Sequence, residues 1–591
     1  MQEQPDMEFG RRAFLIGFGA IAAFCLWVLA DSWGDDILGA RVFLALFSFS
    51  AVLFGVSLAL TGPLSTGRSL LGGLMLAVPV SALISWAGFR FDEASQFLDE
   101  PSALAIGGLI VLFATPFIST LLTDRESWLD YEALFDTAWT ITVRYIAGWL
   151  FVGAFWLVLI LSNAVLELVG IDIIDVLFDI DWVRFALSGA VLGLGLAVAY
   201  ELRDYVSPRL VLRLLRLLLP IVLVVVAIFV AALPFRGLSQ LFGDFSAAAT
   251  LMWAAIASIS LISIALDRDD DYGINTYGMK AAARSLAFLI PVLAALALWA
   301  VIIRVSAYSW TPDRVLAATV AVVLLLYGLI YALAALRGRG WRRAIRRSNV
   351  TMALISLGVA ALWLTPVLNA ERISAKSQLQ RYVSGEASAM ELPLWEFSAN
   401  WGRAGADVLA QLYAMQEANP DPELASRLAA LETAETRYGF EQDIGNLNAR
   451  NRLDRLVPLI AVRPEGAITL TKEMFQALPD YRLERWEEGC RRTIADEPSC
   501  VWLVGPFLPG VEARDQAVLI FDTGGRAQAN YVWMKDGVIQ ERVRELYDTT
   551  SGDWGLVPFD AVRRVLEGSF SIAPSGISAL EFDDIRLVPG N

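Results

Sequence analysis

No histidine occurs anywhere in the 591 residues. Catalytic triads built on histidine, His-ligated metal centres and His haem ligands are excluded with it. Cysteine is limited to Cys25, Cys490 and Cys500, too few for zinc sites or iron–sulfur clusters of the usual kind. Lysine occurs four times, as Lys280, Lys376, Lys472 and Lys535. None follows a glycine, so there is no Walker A loop. Charged residues make up 18% of the chain, against roughly 25% in soluble globular proteins. The net charge of −15 argues against a nucleic-acid partner. No cofactor is expected. What the chain has in abundance is apolar surface: 56% of residues are hydrophobic and the mean hydropathy is +0.54. Much of this protein is solvated by lipid.

A bilayer core takes about 20 apolar residues per helix. Runs of that length lie at 13–30, 42–60, 70–89, 103–122, 145–166, 183–200, 217–233, 247–266, 285–303, 315–336 and 350–368. The expected fold class is a polytopic α-helical membrane bundle of about eleven transmembrane helices, residues 1–369, with a cytoplasmic N-terminus. A helical connector follows at 370–440 and a soluble α+β domain at 441–591. Orientation rests on the bias of Lys and Arg towards cytoplasmic span ends. With the N-terminus inside, the inner segments hold 18 such residues and the outer segments 6. An odd number of spans then puts the C-terminal domain outside the cytoplasmic (inner) membrane. Two segments between spans read as amphipathic surface helices, 128–142 inside and 167–181 outside, the latter with Asp172, Asp175 and Asp179 on one face.

The charge balance also changes at the end of the apolar runs. Residues 1–369 carry 24 basic and 28 acidic groups, and residues 370–591 carry 23 and 34. In the second half, helical periodicity covers 371–384, 399–416 and 421–438. Strands are expected at 501–507, 517–522, 526–534 and 538–546, the last two joined at Lys535-Asp536-Gly537, a hairpin signal. A helix near 558–567 and strands near 570–573 and 579–588 complete the domain. Cys490 and Cys500 flank a turn-prone Asp-Glu-Pro-Ser stretch. The chain can double back there and bring the two within the roughly 4.4–6.8 Å between Cα atoms that a disulfide requires. Such a bond persists in an oxidising compartment, where the charge bias independently puts the domain.

Most motif matches carry little weight. Gly17-Phe18-Gly19-Ala20-Ile21-Ala22 fits a dinucleotide pattern but lies inside an apolar span with no preceding strand. Arg11-Arg12 resembles a twin-arginine export signal, followed by an apolar stretch too long for the usual cleaved signal. Gly189 and Gly193 make a helix-packing face. Ser162, Asn163, Ser258, Ser260 and Ser263 are the polar groups inside spans, and helix–helix hydrogen bonding accounts for them. On the sparsely charged outer side, Arg304, Trp310 and Arg314, with Arg372, Lys376 and Arg381 just after the last span, make a candidate basic rim for an anion or a lipid headgroup. The competing reading is snorkelling and pairing with Asp313, Glu371 and Glu386. Around the same loop, Thr311 is the expected N-cap of the tenth span and Pro312 its first-turn proline.

Tyr131-x-x-Leu134-Phe135-x-x-Ala138-Trp139, Leu217-Leu218-Leu219-Pro220, Tyr308-Ser309-Trp310-Thr311-Pro312-Asp313-Arg314 and Asn369-Ala370-Glu371-Arg372-Ile373-Ser374 with Gln378 and Arg381 resemble the bacterial membrane proteins grouped as domain of unknown function 4153. The likeness runs from about residue 100 to 415. It implies a multi-pass bacterial membrane protein and no particular reaction. The expected function is non-enzymatic, in envelope sensing, scaffolding or assembly through the extracytoplasmic domain. The expected partners are the bilayer and either anionic lipid or an envelope protein. A transporter or lipid-handling protein is the alternative.

The basic stretch 337–347, with Arg337, Arg339, Arg342, Arg343, Arg346 and Arg347, is expected on the cytoplasmic face. A cysteine replacing Arg337 should stay unlabelled by a membrane-impermeant thiol reagent in intact cells and label fully after lysis. Ready labelling of intact cells would invert the topology.

Overall fold

The computed structural model describes residues 5–34, 37–92, 94–98, 100–171, 174, 178–202, 208–236, 245–338, 340–494, 497–508, 510–523, 526–540, 544–546, 556–557, 560–573, 580–582 and 585–587. The chain forms two compact units, Met1–Asn419 and Pro420–Asn591.

The first unit is helical. Its long helices are α1 (Pro5–Gly34), α2 (Ala40–Leu60), α3 (Thr66–Gly88), α4 (Pro101–Thr123), α5 (Tyr131–Glu167), α6 (Asp181–Glu201), α7 (Leu219–Arg236), α8 (Phe245–Leu266), α9 (Tyr277–Tyr308), α10 (Pro312–Leu336) and α11 (Trp341–Trp363). Ten spans among the described residues are long and apolar enough to cross a membrane. An eleventh is added if the bent pair Trp341–Trp363 and Pro366–Val383, angled at 73°, counts as one. The unit ends with α12 (Ala370–Val383), a π-helical turn at Glu396–Asn400 and α13 (Gly402–Ala418). These segments pack with the apolar helices: Gln378 of α12 donates to the carbonyls of Tyr308 and Trp310, at 3.0 and 3.1 Å. The break between compact units therefore falls fifty residues after the shift in composition at 370.

Residues 128–142 do not form a separate surface helix. From Tyr131 they are the opening turns of α5, 37 residues long and capped by Asp130, which accepts from the amide of Ala133. Proline is absent from this stretch, so nothing stops the helix. Arg144, whose charge bounds the apolar run in the sequence, is buried. In the proposed outer helix 167–181, Asp172 and Asp175 lie outside the described residues. The basic stretch is helical from Trp341 onward, as the first turns of α11.

Small residues set how closely the helices approach, as expected where lipid removes the hydrophobic drive between them. The largest core joins α7 to α11 through Ala283, Ala287, Ala294, Ala297 and Ala321, all fully buried. In α1 and α6, Gly19 and Gly189 meet backbone to backbone: a Cβ on either would lie 2.1 Å from the other's carbonyl oxygen. Gly193 sits equally close to the carbonyl of Leu15. The apparent dinucleotide motif in α1 is thus half of a helix crossing. Arg11 and Arg12 pair with Glu201 at its end.

The second unit is α+β. Strands β1 (Ala461–Arg463), β2 (Cys500–Val504), β3 (Gln516–Asp522), β4 (Ala527–Lys535) and β5 (Val538–Ile539) lie in that order. β1 runs parallel to β2 and the remaining pairs are antiparallel. Asp536 and Gly537, both at positive φ, make the two-residue hairpin turn that their sequence signals. Helices α14 (Pro422–Thr433) and α15 (Arg437–Leu456) replace the single expected 421–438 segment; Thr436 caps the second. The unit also contains α16 (Asp480–Arg491) and α17 (Ala561–Leu566). One sheet face, with Trp502, Leu519, Phe521 and Val532, packs on Leu453 and Leu456 of α15 and Leu483 and Trp486 of α16. The other face, with Val501, Leu503, Val518 and Ile520, packs on Val562 and Val565 of α17. With both faces covered, every residue of β2 and β3 is buried, which is why these strands read as continuous apolar runs without alternation. Arg452 ties α15 to α16 through Asp480, Glu484 and Glu487, at 2.8, 3.0 and 3.3 Å. The Arg455 hydrogen bond and charge hold the Glu487 carboxyl below the usual carboxylate range.

The α1–α6 crossing predicts that Gly189→Leu forces the helices apart. Overpacking typically costs 1–3 kcal/mol, so detergent-purified protein should unfold at lower temperature, whereas Gly17→Leu, with open space around its Cα, should be neutral.

Candidate functional site

Seven arginines of the helical unit share one kind of partner, the backbone carbonyl. Arg144, fully enclosed, donates to the carbonyls of Ala59 and Thr61 at the end of α2, at 3.2 and 2.9 Å, and lies against the ring of Tyr200. Arg346 donates to Leu266 and Asp267 at the end of α8, at 2.7 and 3.1 Å. Arg216 reaches Ile264 of the same helix at 3.0 Å and pairs with Asp267. Arg284 donates to Ala335 of α10 at 2.8 Å. At the opposite helix ends, Arg314 donates to Tyr308 and Ser309 after α9, at 3.1 and 2.6 Å. Arg90 binds the carbonyls of Trp363 and Thr365 at the end of α11, and Arg41 that of Asp92 just after α3, at 2.9 Å. The last carbonyls of a helix have no intrahelical donor, and hydrocarbon supplies none. A guanidinium from a neighbouring helix supplies several.

This accounts for much of the candidate rim. Thr311 is the N-cap of α10 and Pro312 its first residue. Trp310 packs on the core around Trp363 and Leu364. Arg314 caps α9, and Arg381 pairs with Glu391 at 2.9 Å. Arg304 is half-buried near the end of α9, and Lys376 is exposed on α12. Of the expected rim residues, Arg372 alone lines the pocket described below. In the basic stretch, Arg342 and Arg346 both pair with Asp270, at 3.1 and 2.8 Å, while Arg337, Arg343 and Arg347 are exposed. The serines fall to helix packing: Ser162 and Ser258 bond their own helices, and Ser263 meets Tyr331 at 3.0 Å. Asn349 gathers Tyr327, Tyr331, Ser263 and Tyr131 into one polar knot between four helices. Nothing in the sequence singled out Asn349; its signal is a lone amide where an apolar span begins.

The pocket opens at the break between α11 and α12. It holds about 200 Å³, and its lining includes Trp86, Phe89, Arg90, Asn369, Arg372, Arg403 and Asp407. The break itself creates it. After Trp363 the chain turns by 73° and restarts at α12, capped by Asn369, which accepts from the amide of Arg372 at 2.7 Å. Arg90 is consumed: besides its carbonyls it pairs with Glu371 at 3.1 Å. Arg403 pairs with Asp92 at 2.8 Å. Its amide also bonds the Arg90 carbonyl at 2.9 Å, which seats α13 against the end of α3.

In the second unit the sulfurs of Cys490 and Cys500 are bonded, with Cα atoms 5.0 Å apart. The chain reverses between them in a short ladder, Thr493 opposite Pro498 and Ile494 opposite Glu497. Both cysteines are buried in the core shared by α16 and β2.

Residues 14–396, well over half of the chain, match the family described as Domain of unknown function (DUF4153). The protein belongs to this family. The match begins near the start of α1, far earlier than the expected residue 100, and stops in the π-helical turn rather than near 415. The second compact unit of this DUF4153 protein lies wholly outside the matched stretch. No curated protein and no solved structure matches the chain.

The capping pattern predicts that Arg144→Ala, which strips the donors from two buried carbonyls, destabilises the helical unit by about 2–4 kcal/mol. Arg343→Ala, on an exposed residue, should change little. Thermal unfolding in one detergent compares the two directly.

Proposed function

We propose that this DUF4153 protein is a non-catalytic, multi-pass component of the bacterial cytoplasmic membrane whose C-terminal unit works on the extracytoplasmic side, in envelope sensing, scaffolding or assembly. The observation that carries the reading is the buried Cys490–Cys500 disulfide at the junction of helix and sheet. Disulfides of this kind persist in oxidising compartments and are rare in the cytosol. The excess of 18 basic residues over 6 at the opposite span ends supports the same side independently. A non-catalytic role is favoured because the arginines and polar side chains described above cap helices and tie them together. A second reading, contact with a specific lipid, is favoured by the pocket at the α11–α12 break.

Mass spectrometry of protein alkylated in whole cells without reduction tests the placement. An unalkylated, disulfide-linked peptide pair containing Cys490 and Cys500 is expected. Two alkylated thiols would overturn the extracytoplasmic assignment.

A further inference from the structure

We infer that the pocket at the α11–α12 break is a binding site for the headgroup of a zwitterionic phospholipid bearing a primary ammonium, that is, an ethanolamine phospholipid. The argument begins with its charges. Four of the ionised groups at or beside the pocket neutralise each other in pairs, Arg90 with Glu371 and Arg403 with Asp92. Two lining groups remain, Arg372 and Asp407, both exposed. Among the described residues neither side chain takes part in an ion pair. One unspent positive charge and one unspent negative charge thus share a cavity.

An anionic ligand would satisfy Arg372 and be repelled by Asp407. A zwitterion satisfies both. A phosphodiester oxygen accepts from the Arg372 guanidinium, a geometry to which arginine is suited, and an ammonium donates to the Asp407 carboxylate. Size points the same way. Sites for drug-sized ligands run from roughly 300 Å³ upward. At about 200 Å³, this pocket suits a headgroup and leaves the acyl chains outside. Trp86 and Phe89, each 52% exposed at the end of α3, supply the interfacial aromatic surface along which such chains begin. Asn369, the N-cap of α12, is itself among the lining residues, so the start of that helix adjoins the pocket and adds partial positive charge there. The inference does not depend on which face of the membrane the C-terminal unit occupies.

Native mass spectrometry of the full-length protein in detergent, titrated separately with phosphatidylethanolamine and phosphatidylglycerol of matched chains, tests it. Phosphatidylethanolamine should bind about fivefold more tightly, the factor set by about 1 kcal/mol per charge contact. Arg372→Ala should weaken both lipids about fivefold, with Arg372→Gln repeating the measurement if the alanine variant aggregates. Asp407→Asn should erase the preference while leaving phosphatidylglycerol bound as before or better. Lys376→Ala, one turn along α12 and outside the pocket, should change nothing. Equal binding of the two lipids by the unaltered protein would overturn the proposal. So would a Lys376→Ala loss as large as that of Arg372→Ala, the mark of diffuse surface attraction. Soluble phosphoethanolamine competing as strongly as the lipid would move the ligand from the bilayer to solution and overturn the lipid assignment.

Discussion

The last turn of every membrane helix presents carbonyl oxygens with no partner, and in a bilayer each such group is costly to leave bare. Much of the helical unit is arranged around that cost. Arg144 closes α2, Arg346 and Arg216 close α8, Arg284 closes α10, Arg314 closes α9 and Arg90 closes α11. None of these guanidiniums comes from the helix it caps, so every cap is also a tertiary contact. Arginine suits this task better than lysine. Its planar fork reaches two carbonyls at once, keeps its charge when enclosed and is weakly hydrated.

These caps also recast the meaning of the charge bias. A residue such as Arg346 contributes to the count on which the expected orientation rests, yet in the folded protein it is enclosed and bonded to Leu266, Asp267 and Asp270. Arg337, Arg343 and Arg347 remain exposed near it. One cluster thus combines exposed charge with donors that tie neighbouring helices together. The same economy governs the opposite helix ends, where Arg314 and Arg90 are spent on backbone and Arg372 is not. Among the candidate rim residues it was this unspent cation, and not the most motif-like one, that turned out to line a cavity.

The two compact units rest on different physics. The helical unit holds together by close backbone approach at Gly19, Gly189 and Gly193, by alanine-rich contacts and by polar knots such as that around Asn349. The second unit buries a sheet between helical layers in the manner of a soluble domain. It adds the fan of acids around Arg452 and a disulfide that pins α16 to β2. The family match stops before this unit begins.

Composition and periodicity alone were enough for the ten or eleven apolar helices, the hairpin at Asp536-Gly537, the Thr311 cap and the pairing of Cys490 with Cys500. Each is a local matter, set by hydropathy over about 20 residues, by positive φ at two positions or by ten residues of chain. The length of α5, the split of 421–438 into two helices and the parallel strand at Ala461–Arg463 were not legible, because a buried charge or a short strand is stabilised by neighbours distant in sequence. The fate of the arginines was least legible of all. Arg90, Arg314 and Arg372 look alike as cations at span ends. Only the packed helices decide which of them meets a bare carbonyl, which meets an acid, and which is left facing an open pocket with Asp407.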